Sequence, residues 1–363
     1  MTSSGQPIRT PEGLRWSCRS CGSCCTSDYD LGPVEPEVIA DLTAAGIEGL
    51  WAPASDGWHH DQPTGVFLDT VDGHCVFLRD DKRCAVHDLL GGHRKPGFCR
   101  EFPYHLVEDP LGWVAVVRPT CRGFHGSSRD GDAVGPELEK IAALPRLVPR
   151  RRFAPQAVNI LDGASVSLET WMKGEQALLS GLCGLDLHEA ITALRQRLHV
   201  AAHRTVPPIR PPQHQAALEA IVTALAMIMR HTLKQPGGQD PERVDFAQKS
   251  LADLERVLAT VDRPAPALAA DAEEWVNLLL RSELLAKRFA VWGGVAEGLG
   301  EFILAIEVSR RLAEPDPSGQ ITAAALSEPL AHWRRFAAIE LITMILRKAR
   351  PALIDLFLHE RSP

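Results

Sequence analysis

After a short polar lead the chain runs Cys18-Arg19-Ser20-Cys21-Gly22-Ser23-Cys24-Cys25, eight residues of which four are cysteine. Two-residue spacers let a backbone turn tightly and present successive sulfurs to one centre. Gly22 removes a side chain where that backbone must bend close to it. Adjacent side chains diverge in most backbone conformations, so Cys24 and Cys25 are expected to serve different centres, or only one of them to be a direct ligand. Three cysteines at successive two-residue spacings match the ferredoxin-type arrangement, in which a fourth thiolate arrives from elsewhere. They suit zinc as well, whose tetrahedral thiolate sites use similar spacings.

Four more cysteines follow, Cys75, Cys84, Cys99 and Cys121. Their spacers of eight, 14 and 21 residues are too long for local turns, so tertiary structure must bring these sulfurs together. Eight thiolates satisfy two four-thiolate centres, or one iron–sulfur cluster with spare structural thiols, and spacing alone does not choose. For a [4Fe–4S] cluster the expected set is three among Cys18, Cys21, Cys24 and Cys25, completed by one of Cys75, Cys84, Cys99 or Cys121. His87 is a candidate replacement ligand, though a hydrogen-bonding or surface role suits it better. Arg100 and Arg122, each directly after a cysteine, are candidates to balance cluster charge, and Phe102-Pro103 reads as packing beside the site.

Distribution says more than number. The 363 residues hold nine cysteines, and the last 242 contain only Cys183, which reads as a small core hydrophobe. Residues 1–125 carry a net charge of −6 and the remainder −1, within a total of −7. Nothing resembles the net-basic footprint of a nucleic-acid binder. The N-terminus has no apolar signal region, and the most apolar stretch, Ala216 to Met229, is interrupted by Glu219 and shorter than a membrane span. A cytoplasmic protein is expected, without nucleic acid or membrane as partner. In a reducing compartment clustered cysteines read as metal ligands rather than disulfides.

The first part is rich in loop signals: Gly32-Pro33, the Trp58-His59-His60 turn, Asp72-Gly73 and Gly91-Gly92. A short helix is expected over 35–45 and short strands at Val66-Phe67-Leu68 and Trp113 to Val117. Bound metal would staple so small a domain. After about Gly126 a polar joint, Ser127 to Asp132, leads into a Leu-, Ala- and Arg-rich chain. Leu218, Val222, Leu225 and Met229 recur at helical spacing, and helices are expected over 187–200, 241–258, 273–289, 299–312 and 329–347. Pro207 to Pro212 reads as a stiff connector, and Pro264 and Pro266 as stops after Leu258. The expected fold class is mainly α: a small loop-rich cysteine-cluster metal domain, residues 1–130, followed by an α-helical domain, residues 131–363. Arg146, Arg150, Arg151 and Arg152 form a basic patch that reads as a solvated joint.

In order and spacing these motifs resemble the bacterial CxxCxxCC cysteine-cluster family, the YkgJ-like zinc- or iron-chelating domain. The resemblance is carried by Cys18-x2-Cys21-Gly22-x-Cys24-Cys25, Cys75-x-Phe77-Leu78, Cys84-x2-His87, Lys95-Pro96, Cys99-Arg100-x-Phe102-Pro103 and Cys121, and covers about the first 125 residues. It implies that the eight cysteines form a metal-binding cluster, iron–sulfur or zinc. A similar domain occurs in flagellin lysine-N-methylase, and Trp275 to Leu279 looks faintly like the C-terminal part of that enzyme.

Three functions fit. One is an eight-cysteine metal protein, best read as [4Fe–4S] in a structural or redox role. Another is a cluster-containing lysine N-methylase-like enzyme acting on a protein substrate with S-adenosylmethionine. The third is a zinc-stapled module for a protein partner. The glycines of 293–300 do not spell G-x-G-x-x-G and lack a preceding strand, so any S-adenosylmethionine site would be unconventional. P-loop, H-E-x-x-H and G-x-S-x-G motifs are absent.

Overall fold

Pro36 lacks the N–H that a first helical turn leaves unpaired, and its fixed φ suits that turn. In the computed structural model of the chain, which describes residues 8–26, 31–47, 51–53, 66–143, 151–234 and 241–359, helix α1 runs Pro36–Ala44 and buries Val38 and Leu42. The Trp58-His59-His60 turn, with Arg146 and Arg150 of the basic patch, lies outside the described residues. The chain divides into two compact units, Met1–Phe153 and Ala154–Pro363.

Short elements build the first unit. β1 (Trp51–Pro53) pairs antiparallel with β2 (Val66–Leu68), and β3 (Thr70–Val71) with β4 (His74–Cys75). Asp72 and Gly73 turn the β3–β4 hairpin with φ of 50° and 74°, the left-handed pair that a type I′ turn requires. The hairpin ends on Cys75. α2 (Ala85–Leu90) has Cys84 as its N-cap, and α3 (Gly97–Glu101) contains Cys99. β5 (Tyr104–Asp109) and β6 (Gly112–Val117) then pair antiparallel from Tyr104↔Val117 to Asp109↔Gly112, burying Val107, Val114, Ala115 and Val117. α4 (Phe124–Asp130) and α5 (Gly135–Ala142) follow, and β7 (Arg151–Arg152) adds to β5 in parallel. The polar stretch 127–132 lies within this unit, where Trp16 N–H donates to Asp132 C=O at 3.0 Å and Arg15 bridges to Ala133.

The second unit, expected to be α-helical, opens on strands. β8 (Ala157–Leu161) and β9 (Ala164–Ser167) form a hairpin turned at Asp162-Gly163. Ala157 and Asn159 face outward while Val158 and Ile160 are buried, a period of two that no helix can bury on one face. α6 (Leu168–Ser180) is capped by Ser167, whose hydroxyl accepts from Thr170 N–H at 3.1 Å. α7 (Leu187–Ala201) has a capping box made by Asp186 and Glu189. The proline connector stays irregular only to Arg210, because Pro211 and Pro212 fill the first turn of α8 (Pro211–Leu233), where their missing N–H costs nothing. At 23 residues α8 outruns the apolar stretch it contains and is long and apolar enough to cross a membrane, judged by length and composition. Its inner face packs against α9 (Pro241–Leu258).

Two more stretches depart from their periodicity. α10 (Ala270–Leu285) ends before Lys287, whose left-handed φ of 53° turns the chain into a 3-10 turn, Arg288–Val291. After α11 (Val295–Leu312), the 329–347 pattern resolves into α12 (Ala323–Ala338) and α13 (Glu340–Lys348), split by extended backbone at Ile339. Thr322 caps α12 upstream of the expected start, so Pro329 falls inside the helix. α14 (Arg350–Leu358) closes the unit. Gly298 and Gly300 belong to α11, and their role is packing: a Cβ on Gly300 would lie 1.9 Å from the Leu353 carbonyl oxygen of α14. Among the described residues helix makes up 57% and strand 12%, so the mainly-α class holds.

Candidate metal centre

The cysteine run is shaped by Gly22, at φ 72°, which caps a 3-10 turn over Ser23–Cys25 that Cys25 N–H closes onto Gly22 C=O at 2.9 Å. Thr26 then bridges antiparallel to His74, which sets the end of the run beside Cys75. Elsewhere the run touches the other cysteine-bearing segments. A Cβ on Gly22 would lie 3.4 Å from both Leu78 Cδ1 and Lys82 Cβ, in the loop that leads to Cys84. That loop closes through an antiparallel bridge between Leu78 and Cys84. A Cβ on Gly123, two residues after Cys121, would lie 3.1 Å from Arg19 Cγ. One hydrophobic cluster holds buried Cys75, Phe77 and Val86, with Cys25, Cys84 and Phe98 packed against it.

Exposure grades the thiols. Cys18 and Cys21 are exposed, Cys24, Cys25, Cys84 and Cys99 half-buried, and Cys75 and Cys121 buried. Ser20 N–H donates to Cys18 Sγ at 3.4 Å, and Cys21 Sγ lies 2.9 Å from Ser23 Oγ. Cys24 and Cys25 do not diverge completely, for their sulfurs are 3.9 Å apart.

The electrostatics of the thiols are mutual. Cys24 is held above the ordinary thiol range by its hydrogen bond with Cys25 and by burial. Burial raises Cys75 and Cys99, and in both cases charge on Cys84 and Cys24 adds to the effect. Cys121 is pushed up to about 12, chiefly by burial, against the opposing N–H groups of Trp16 and Gly123. Lys95 belongs to the same neighbourhood. Burial works against its ammonium, but interaction with the neighbouring Cys99, Cys84, Cys24 and Cys25 outweighs it and holds its pKa above the usual lysine value.

Among the described residues no three His, Cys, Asp or Glu side chains are arranged to hold a metal ion. The thiols gather without closing a coordination shell. A thiol that burial keeps protonated is not a ligand, and metal binding has to displace that proton first. Zinc–sulfur bonds of about 2.3 Å imply tetrahedral sulfurs ~3.8 Å apart, a spacing the Cys24–Cys25 pair already has. The donor set suits zinc or iron: soft sulfurs, with buried N–H donors beside them. Trp16 Nε1 and Arg100 Nε are both buried, and the Trp16 N–H is directed at Cys121. Such donors tune thiolate–metal centres.

Residues 17–122 match the CxxCxxCC family. The family model describes a zinc- or iron-chelating domain, and the matched stretch begins one residue before Cys18 and ends one after Cys121. It contains all eight clustered cysteines and less than a third of the chain. No curated protein and no solved structure matches the chain. Within the CxxCxxCC domain His87 is exposed on α2, packed beside Gly92. Cys183 lies in the other unit, half-buried instead of in the core, because Arg281 Nη1 donates to its sulfur at 3.2 Å and draws it toward a polar edge. Trp16 and Lys95 were not singled out as site residues by spacing. Lys95-Pro96 appears in the family pattern, but only the tertiary fold surrounds the lysine with sulfur.

Proposed function

We propose that the CxxCxxCC domain holds a [4Fe–4S] cluster on cysteine thiolates, in a structural or electron-transfer role. The observation that carries this is the gathering of Cys24, Cys25, Cys75, Cys84 and Cys99 from four separate segments around one neighbourhood. The successive two-residue spacing of Cys18, Cys21 and Cys24 supports iron. So do the N–H groups of Trp16, Gly123 and Phe77 directed at cysteine sulfur, since such donors set cluster potential. A bound cluster would supply a one-electron couple and a staple across a unit of short elements. The protein's part is to orient the thiolates, bury Cys75 and Cys121 and donate hydrogen bonds to sulfur.

One observation favours a second reading, zinc. The 3.9 Å separation of Cys24 and Cys25 suits two ligands on one tetrahedral ion better than two thiolates on different irons of a cube. Anaerobic purification of the full chain with iron, zinc and acid-labile sulfide analysis separates the readings. About four irons and four sulfides per chain with a broad visible band is the expected result. Colourless protein with stoichiometric zinc and no sulfide overturns iron in favour of zinc.

A further inference from the structure

Helix α8 is apolar on more than the face it buries. Leu218, Ile221, Val222, Leu225 and Ala226 are buried in the second unit. On the other side Ala216, Ala220, Thr223, Ala224, Met227 and Ile228 line a shallow recess, with Met227 61% exposed. Only 39% of the most apolar 18-residue stretch of this helix is buried. A helix that is hydrophobic all round is normally covered on every side, and a continuous apolar stripe marks a contact where scattered single residues do not. Helix α13, which packs beside α8, exposes Leu341 and Met344 as well.

Shape and charge choose what covers the stripe. Its N-terminal end is small, Ala216 and Ala220, and its C-terminal end large, Met227 and Ile228. A two-fold contact brings residue i of one copy to residue j of the other, and j to i. An antiparallel pair of α8 helices, with the axis near Thr223 and Ala224, therefore sets Met227 of each copy over Ala220 of the other. Glu219 and Arg230 are eleven residues apart, about three turns, so both border the stripe on the same side. In that register Glu219 of each copy comes to Arg230 of the other. Arg230 is exposed and gives Nε and Nη2 to Glu255, and a guanidinium has further N–H donors for a second carboxylate. A bilayer fits less well, because α9 and α14 already pack against α8 and Glu219 would face anionic lipid. We propose that the outward face of α8 is a homodimer interface, in which two copies of this chain pair antiparallel through Ala220, Met227, Glu219 and Arg230.

The stripe is about 20 Å long, small for a tight complex, so a micromolar dissociation constant is expected. Sedimentation of the full chain from roughly 1 to 100 µM reads it, and the parent should pass from monomer to dimer across that range. Ala220→Glu fills the recess with charge at an exposed position and should weaken pairing about 100-fold or more, leaving a folded monomer. Met227→Ala should weaken it about tenfold, and Glu219→Gln about threefold with a flatter dependence on salt. Circular dichroism and thermal melts of each variant separate lost pairing from lost folding. A parent chain that stays monomeric at 100 µM or so overturns the proposal. Equal dimerisation of A220E and the parent overturns it too, since the contact then lies elsewhere. Flotation with vesicles of mixed zwitterionic and anionic phospholipid tests the other occupant, and a monomer that floats, with A220E left behind, assigns the face to a bilayer instead.

Discussion

Gly22→Ala probes the turn that presents the first cysteines. At φ 72° the residue stands in the left-handed region, where an L side chain costs roughly 1–2 kcal/mol. The added Cβ would meet Leu78 Cδ1 and Lys82 Cβ at 3.4 Å, just at contact, so no steric clash is added to the backbone cost. If the turn is formed before metal arrives, the loss shows as lower stability of the metal-free unit. If metal orders it, the loss shows as affinity, and at about 1.4 kcal/mol per factor of ten it amounts to roughly 5- to 30-fold. Zinc titration by chelator competition and denaturant melts of the zinc-loaded chain together capture both routes. Gly22→Asn should recover much of the loss, because asparagine visits this region more readily. A G22A chain that matches the parent within twofold in affinity and within 0.3 kcal/mol or so in loaded stability refutes the argument.

The same substitution elsewhere should take opposite signs. Gly300→Ala drives a Cβ to 1.9 Å from Leu353 C=O and should cost about 3 kcal/mol or more, while Gly174→Ala, exposed inside α6 with nothing within 4 Å, should stabilise by up to about 1 kcal/mol; thermal melts of the pair decide. Lys287 is fully buried, 2.9 Å from Glu175, so Lys287→Met should cost about 3–5 kcal/mol, with part recovered by adding Glu175→Gln. Independent, additive losses in that double mutant would show the pair is uncoupled. Alkaline pH should weaken the metal-free chain. Cys121 keeps its proton to about pH 12 when folded but gives it up near its ordinary value of 9 when unfolded. Its contribution is therefore complete below pH 9 and fades as pH rises, by about 1.4 kcal/mol at pH 10. Equal denaturant stability of the chelator-treated chain at pH 8 and pH 10 would contradict this.

Much of the site was legible because ligand chemistry is written in residue type and order: eight cysteines, a glycine in the first spacer, and a lysine–proline pair before Cys99. Helices with a wide apolar face were legible too, since a period of 3.6 is hard to imitate over 15 residues or more. β8 and β9 carried a readable signal in Asp162-Gly163, but their runs of five and four residues sit inside a Leu- and Ala-rich stretch that reads as helix. The break at Ile339 has neither glycine nor proline to announce it, and packing around α12 and α13 sets it. The Lys95-Pro96 pair was legible as a motif, but the tertiary position of Lys95 was not. A charge becomes meaningful only when its neighbours in space are known.

The gathering of sulfurs from distant segments also sets a timetable. Cys121 follows Cys25 by 96 positions. At roughly 5–20 residues per second, a translating ribosome releases the first four thiols about 5–20 seconds before the last of the eight. Through that interval Cys18, Cys21, Cys24 and Cys25 stand on a nascent chain with no hairpin, no α3 and no Lys95 beside them. They meet every oxidant and stray cation in the compartment first. Faithful loading thus depends on an early thiol run that stays reduced and unclaimed until its later partners are made.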